Sequence, residues 1–215
     1  MNQNLFEAKY NVTKKNKFLV LYEKNKILIY SLIASTVIIL ISFNFYFNFK
    51  ENKKILLSEK YIEAKIYLEN KENDKAKNIL KDIIYENDST YSTLGLFLII
   101  NQKLIIDNIE LLNLFNHLLE NNKFTKDLKN LLIFKKMLLN SNFIDEDKLI
   151  KSAKPLLNSN TIWKPHALLL IGDYFSSKNE NIKAKEFYNK IFTIKNVSND
   201  IFNHAKLQIA LISNE

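Results

Sequence analysis

The sequence predicts an all-α protein, with one N-terminal transmembrane helix followed by an α-solenoid of antiparallel helix pairs. Gly and Pro occur only twice each in 215 residues, so the tight turns of a β-sandwich or barrel have almost nothing to be built from. The 23 residues from Ile27 to Phe49 carry no charge, and a helix rising about 1.5 Å per residue would take them across a bilayer. Lys71-Glu72-Asn73-Asp74-Lys75-Ala76-Lys77 is echoed by Lys178-Asn179-Glu180-Asn181-Ile182-Lys183-Ala184-Lys185. Ala76 and Ala184 are separated by three steps of about 36 residues, which is the signature of stacked helical repeats.

Residues 1–26 read as a cytoplasmic, lysine-bearing tail and residues 27–49 as the transmembrane helix. Fourteen of these 23 residues are Ile, Leu, Val or Phe, each worth about −0.3 to −0.6 kcal/mol near the membrane centre, so insertion gains on the order of −4 to −8 kcal/mol. Ser31, Ser35, Thr36 and Ser42 subtract from that, but their hydroxyls can bond back to the helix. A cleaved signal peptide wants a shorter apolar run followed by small residues. Phe43-Asn44-Phe45-Tyr46-Phe47-Asn48-Phe49 offers an aromatic belt instead, so the reading is an uncleaved signal anchor. Lys14, Lys15, Lys17, Lys24 and Lys26 precede the span closely, and Lys50, Lys53, Lys54 and Lys60 follow it. This five-to-four majority favours a cytoplasmic N-terminus. Asn44 and Asn48, four residues apart, share a helix face. They could bond to a partner's transmembrane helix, or simply be two polar residues near the headgroups.

Residues 50–215 form the helical domain. Leu57, Tyr61, Ala64 and Leu68 mark one face of a helix over 53–70 that continues from the membrane helix. After a polar break, Ala76, Ile79, Leu80 and Ile83 mark a second over 75–86, with Asp74 as its N-cap. The two make an αα-hairpin. The rhythm carries on over 90–101, 106–120, 124–140, 145–158, 165–177, 181–193 and 199–213. Pro165 falls in the first turn of its helix, where its missing N–H costs nothing. Pro155 is expected to kink or split its own.

The repeat has a recognisable grammar. Tetratricopeptide units of about 34 residues place small residues where paired helices approach closely. Gly172, Phe175, Ala184 and Tyr188 fall at the Gly, aromatic, Ala and aromatic positions of that pattern. Ala64, Tyr67, Ala76 and Leu80 follow it less faithfully, and Leu94-Gly95 begins a unit that no Ala completes. With the lysine-bearing tail, the single span and the stretch from Trp163-Lys164-Pro165-His166-Ala167 through Gly172-Asp173 and Ala184 to Ala205-Lys206, the chain resembles the bacterial ancillary SecYEG translocon subunit family over about residues 8–213. The resemblance implies a single-pass inner-membrane protein whose helical domain lies in the periplasm beside translocon subunits and periplasmic chaperones. The chain departs from the family in having no Arg and in its weakened central repeats.

Chemistry of turnover finds little to stand on. Gly95 and Gly172, the only glycines, are too far apart for any Gly-rich phosphate cradle, and the absence of Cys removes thiolate zinc sites and thiol nucleophiles. His117, His166 and His204 show no zinc-ligand spacing. Asp145-Glu146-Asp147 reads as acidic residues opening a helix, and Trp163 as a packing residue before the helix of Pro165. The net charge of +8 includes no Arg, the residue preferred for phosphate and base contacts. The expectation is therefore no catalytic site, cofactor, metal, small-molecule substrate or nucleic acid, and a membrane-tethered protein–protein interaction scaffold. An envelope or cell-division scaffold, and with reversed topology a cytosolic targeting receptor, are the competing assignments.

Overall fold

The computed structural model describes residues 17–213. Lys14 and Lys15, with the rest of the tail through residue 16, lie outside them. Nine α-helices and no strand occur among the described residues: α1 Lys17–Glu69, α2 Asn73–Tyr85, α3 Tyr91–Asn101, α4 Asn108–Asn121, α5 Lys126–Asn140, α6 Glu146–Leu157, α7 Trp163–Ser177, α8 Asn181–Phe192 and α9 Asn199–Ser213. The chain divides into two compact units, one through Lys53 and one from Lys54.

In the first unit α1 departs from helical geometry only at Asn25 (φ −121°, ψ 19°). Every residue from Tyr30 to Phe49 is exposed, and the helix carries the one stretch among the described residues long and apolar enough to span a membrane. Its hydroxyls bond backwards as expected: Ser31 to the Leu28 carbonyl at 2.9 Å, Ser35 and Thr36 to that of Leu32 at 2.8 Å, and Ser42 to that of Ile38 at 2.8 Å. Each hydroxyl is thereby satisfied without a partner outside the helix.

The second unit holds two apolar clusters. One joins Leu57 and Ala64 of α1 to Leu80, Ile83 and Ile84 of α2, Leu96 and Ile99 of α3, Phe115 and its neighbours on α4, and Leu132 of α5. The other starts at Met137 of α5 and takes in Ala153 and Leu156 of α6, Ile171 and Phe175 of α7, Tyr188 and Ile191 of α8, and Ala205 of α9. From α2 to α9 each helix packs on the next, and α2 on α4, α5 on α7 and α7 on α9 also touch. Salt bridges join α2 to α4, Lys81 to Glu110 at 2.7 Å, and α6 to α8, Lys183 to Glu146 at 2.7 Å.

The scarcity of glycine shows in the turns. Lys71, Asn87, Lys103, Asn179 and Asn196 all have φ between 51° and 62°, and no glycine has a positive φ. Lys71, Asn87, Lys103 and Asn179 close helix ends in the left-handed conformation usually left to glycine, and Asn196 takes it in the loop between α8 and α9. Both glycines instead sit inside helices, at close approaches.

Two local expectations are corrected. Glu72, not Asp74, stands at the N-cap of α2 and makes no side-chain cap bond. Asp74 lies within the first turn and bonds Lys77 at 2.7 Å, an arrangement its position near the helix's positive end also favours. Pro155 neither splits nor ends α6, which runs two residues past it, although it leaves the Lys151 carbonyl in the middle of the helix without its N–H.

Candidate functional site

The sequence-predicted packing residues fall into two hairpins built to one plan. At the end of α1 the Lys71 N–H bonds the Leu68 carbonyl at 3.0 Å and the Glu72 N–H bonds that of Tyr67 at 2.8 Å. At the end of α7 the Asn179 N–H bonds the Ser176 carbonyl at 3.0 Å and the Glu180 N–H bonds that of Phe175 at 2.9 Å. Both are Schellman-type closures, which satisfy carbonyls a helix end would otherwise orphan. Each next helix then starts the same way, Ala76 N–H on the Glu72 carbonyl at 3.2 Å and Ala184 N–H on that of Glu180 at 3.0 Å. A lysine pairs with each of those glutamates, Lys75 with Glu72 and Lys183 with Glu180. The same lysines lie over an aromatic ring, 5.1 Å from the centre of Tyr67 and 5.0 Å from that of Phe175. Every equivalence keeps the offset that relates Ala76 to Ala184.

Behind the turns, Ala64, Ala76, Ala184 and Tyr188 have no exposed surface. Gly172 and Tyr188 are in direct contact: a Cβ at 172 would lie 2.3 Å from Cε1 and 2.6 Å from Cδ1 of the ring. The ring of α8 therefore rests on the backbone of α7, which only glycine permits. The Tyr188 hydroxyl donates to Asp173 Oδ1 at 2.8 Å. Burial, and then that bond, push its pKa well above the usual phenol range, so it stays protonated and serves as a structural donor. His204 Nε2 of α9 lies 3.9 Å from the same carboxylate oxygen. Asp173 of α7 thus bonds α8 and faces His204 of α9, an arrangement its place beside Gly172 in the sequence did not reveal.

Gly95 works differently. Its added Cβ would lie 3.3 Å from the Leu80 carbonyl and 3.4 Å from Ile84 Cγ1, and Ser92, fully buried, donates to the Ile83 carbonyl at 3.0 Å. This close approach is to the preceding α2.

The remaining candidates resolve individually. Asp145 caps α6 by accepting from the Lys148 N–H at 3.0 Å, and the Lys148 side chain and that N–H hold its carboxyl below the usual range. No group of three or more metal-ligating side chains occurs among the described residues. His117 bonds Asn87 at 2.8 Å, and His166 lies against Trp163 and Phe134. Trp163 opens α7 and stacks on Phe134 of α5, ring centres 5.6 Å apart. In α1, Asn48 donates its amide to Asn44 Oδ1 at 2.9 Å, so the two asparagines do share one face.

No protein-family model, curated protein or solved structure matches this chain.

Proposed function

We propose that this protein is a membrane-anchored interaction scaffold, a tetratricopeptide-like solenoid of antiparallel helix pairs that works as an ancillary subunit of the bacterial SecYEG translocon. The observation that carries the reading is the pair of hairpins α1–α2 and α7–α8, with equivalent left-handed turn positions, backbone bonds, turn salt bridges and cation–ring contacts. Repetition of that kind, with contacts between neighbouring and next-neighbouring helices, favours a stack that binds through an extended face. A fully exposed apolar run ahead of it favours a tether. The translocon assignment, with translocon subunits, periplasmic chaperones or exported chains as partners, rests on the sequence resemblance. The protein acts by binding, and the tether raises the effective concentration of its domain near membrane-bound partners, so individually weak contacts suffice.

Crosslinking of the full-length chain in living cells, followed by mass spectrometry, tests the assignment, with translocon subunits or envelope chaperones as the expected products. Recovery of wall-synthesis or division proteins alone would replace it with the division-scaffold reading. A reporter fused after Glu215 and active only outside the cytoplasm should be active. Activity of a cytoplasm-only reporter at that junction would turn the domain inward and make it a cytosolic receptor. Replacing 27–49 by an unrelated transmembrane helix should leave association intact if the segment only tethers; loss would make Asn44 and Asn48 a contact.

A further inference from the structure

The end of α6, the first turn of α7 and the last turn of α8 enclose a cleft of about 580 Å³. Its floor is apolar: Leu157, Leu168, Phe187 and Ile194. Its rim is basic: Lys164, Lys190 and Lys195, with no carboxylate in the lining. Lys190 is committed, bonded to Glu186 at 2.7 Å and lying 4.5 Å over the Phe187 ring. Lys164 and Lys195 have no ion pair among the described residues. A second hollow of about 440 Å³ shares Asn160, Ile194 and Lys195 and extends past His166 to Ser198. The two hollows adjoin at these shared residues, in the loops before α7 and α9.

Two unpaired ammonium groups at the edge of an apolar floor select their ligand by desolvation. In the empty groove water solvates them and they cost nothing. An apolar segment laid on Leu168 and Phe187 strips part of that water, which is unfavourable unless the incoming chain brings negative charge to the same place. A bare inorganic anion satisfies the lysines but leaves the floor wet, and a neutral apolar peptide does the reverse. The cleft of about 580 Å³ also leaves far more room than a compact ion fills. We infer that this groove binds an extended segment of a partner protein in which acidic and apolar residues alternate. Its apolar side chains lie on Leu168 and Phe187, and its carboxylates face Lys164 and Lys195. The inference rests on the scaffold reading only in taking a protein segment as the ligand.

The test uses the full-length chain in detergent micelles and a fluorophore-labelled octapeptide of alternating leucine and glutamate. Binding is expected to weaken with added salt, and Lys164→Glu with Lys195→Glu is expected to weaken it by about tenfold or more. An unchanged helical circular-dichroism signal would show that the variant is folded, and the two single reversals give intermediate losses if it is not. Four results would overturn the inference: wild-type affinity in the double variant, an equal loss in the charge-matched control Lys123→Glu with Lys129→Glu, equal binding of a peptide with glutamine in place of glutamate, or full displacement by equimolar inorganic phosphate. Crosslinking in cells keeps the two readings apart. Peptide binding without translocon or chaperone crosslinks sinks the translocon assignment and leaves the groove. Translocon crosslinks by a wild-type chain that binds no peptide do the opposite.

Discussion

The hairpins α1–α2 and α7–α8 leave their first helix through Lys71 at φ 62° and Asn179 at φ 60° and restart with matching backbone bonds, yet they fill the seam behind the turn with different side chains. In α7–α8 a fully buried Tyr188 ring lies on Gly172 and ties its hydroxyl to Asp173. In α1–α2 the corresponding positions are Ala64 and Leu80, both fully buried in one apolar cluster. The turn is specified by backbone geometry and tolerates Lys or Asn at its left-handed position. The seam is specified by volume, and a larger ring on one helix is matched by a smaller residue on the other. Turn and seam therefore vary independently, and the two hairpins can be tested one feature at a time.

The largest effect is expected where both hairpins agree. Ala184→Leu and Ala76→Leu each add three carbons at a fully buried position, and each should destabilise by about 1–3 kcal/mol, towards the upper end. Lys185→Leu, one residue on, should stay within about 0.5 kcal/mol. Thermal melting of the full chain in detergent reads all three. If Ala76→Leu matches the Lys185→Leu control while Ala184→Leu does not, the equivalence of the hairpins stops at their turns.

Gly172→Ala isolates the seam. Its new Cβ would fall within 3 Å of three atoms of the Tyr188 ring, and that ring is anchored by burial and by Asp173, so it cannot step aside freely. Alanine returns about 1 kcal/mol of helix propensity, leaving a net loss of roughly 1–2 kcal/mol from overpacking. Adding Tyr188→Leu recreates the Ala and Leu pair of α1–α2, and the double variant should be more stable than the sum of the single losses implies. A double-mutant cycle measures that coupling, expected at about 0.5–2 kcal/mol. Strict additivity would show that the ring and residue 172 do not constrain each other.

The same contrast explains what can be read from the sequence. Helix positions are legible because apolar residues recur at helical spacing in every segment, and α9 begins and ends where that spacing places it. Ala64, Ala76, Gly172, Ala184 and Tyr188 stand out in the sequence as small or aromatic residues at helical spacing, and all five are buried. Asp173 is not legible, since a carboxylate beside a repeat glycine looks like any exposed acid until α8 and α9 are folded against it. Nor is the orientation of Gly95, because sequence spacing cannot say which of two neighbouring helices a small residue faces. Asp74 misleads because an acidic residue suits both the N-cap and the first turn, and the backbone of Glu72 decides between them. The groove at Lys164 and Lys195 joins the start of α7 to the loop after α8, a juxtaposition no local pattern encodes.

Tyr188→Phe removes only the hydroxyl. The ring still rests on Gly172, but Asp173 loses the donor at 2.8 Å. Bonds to charged groups are typically worth about 1.5–3 kcal/mol, and the half-exposed Asp173 can recruit water in its place, so a loss of about 1 kcal/mol is expected. Leu80, which has no hydroxyl, offers no counterpart in α1–α2. An unchanged melting temperature would mean that water replaces the phenol completely.

The smallest effect concerns the lysines of the two turns. Lys183 bonds Glu146 of α6 at 2.7 Å and Glu180 of its own turn at 2.8 Å, and in that order these contacts raise its pKa above the usual lysine value. Lys75 is raised too, with Glu72 as its main cause. A folded-state pKa above the unfolded one means that the contribution to stability is complete below the unfolded value and disappears as pH rises through the folded one. Between pH 7 and 9 the wild type should therefore melt slightly above both Lys183→Met and Lys75→Met. Above about pH 10.5 those gaps should begin to narrow, closing once the pH has passed the raised folded-state values. Using differences between variants cancels the titration of the chain's many other lysines and tyrosines. Both ammonium groups are solvent-exposed, so the gaps are small and shrink with added salt. The gap for Lys183, with two carboxylates from two helices, should exceed that for Lys75 and persist to higher pH. Equal gaps with equal pH dependence would show that the bridge to Glu146 adds nothing to the turn that both hairpins share.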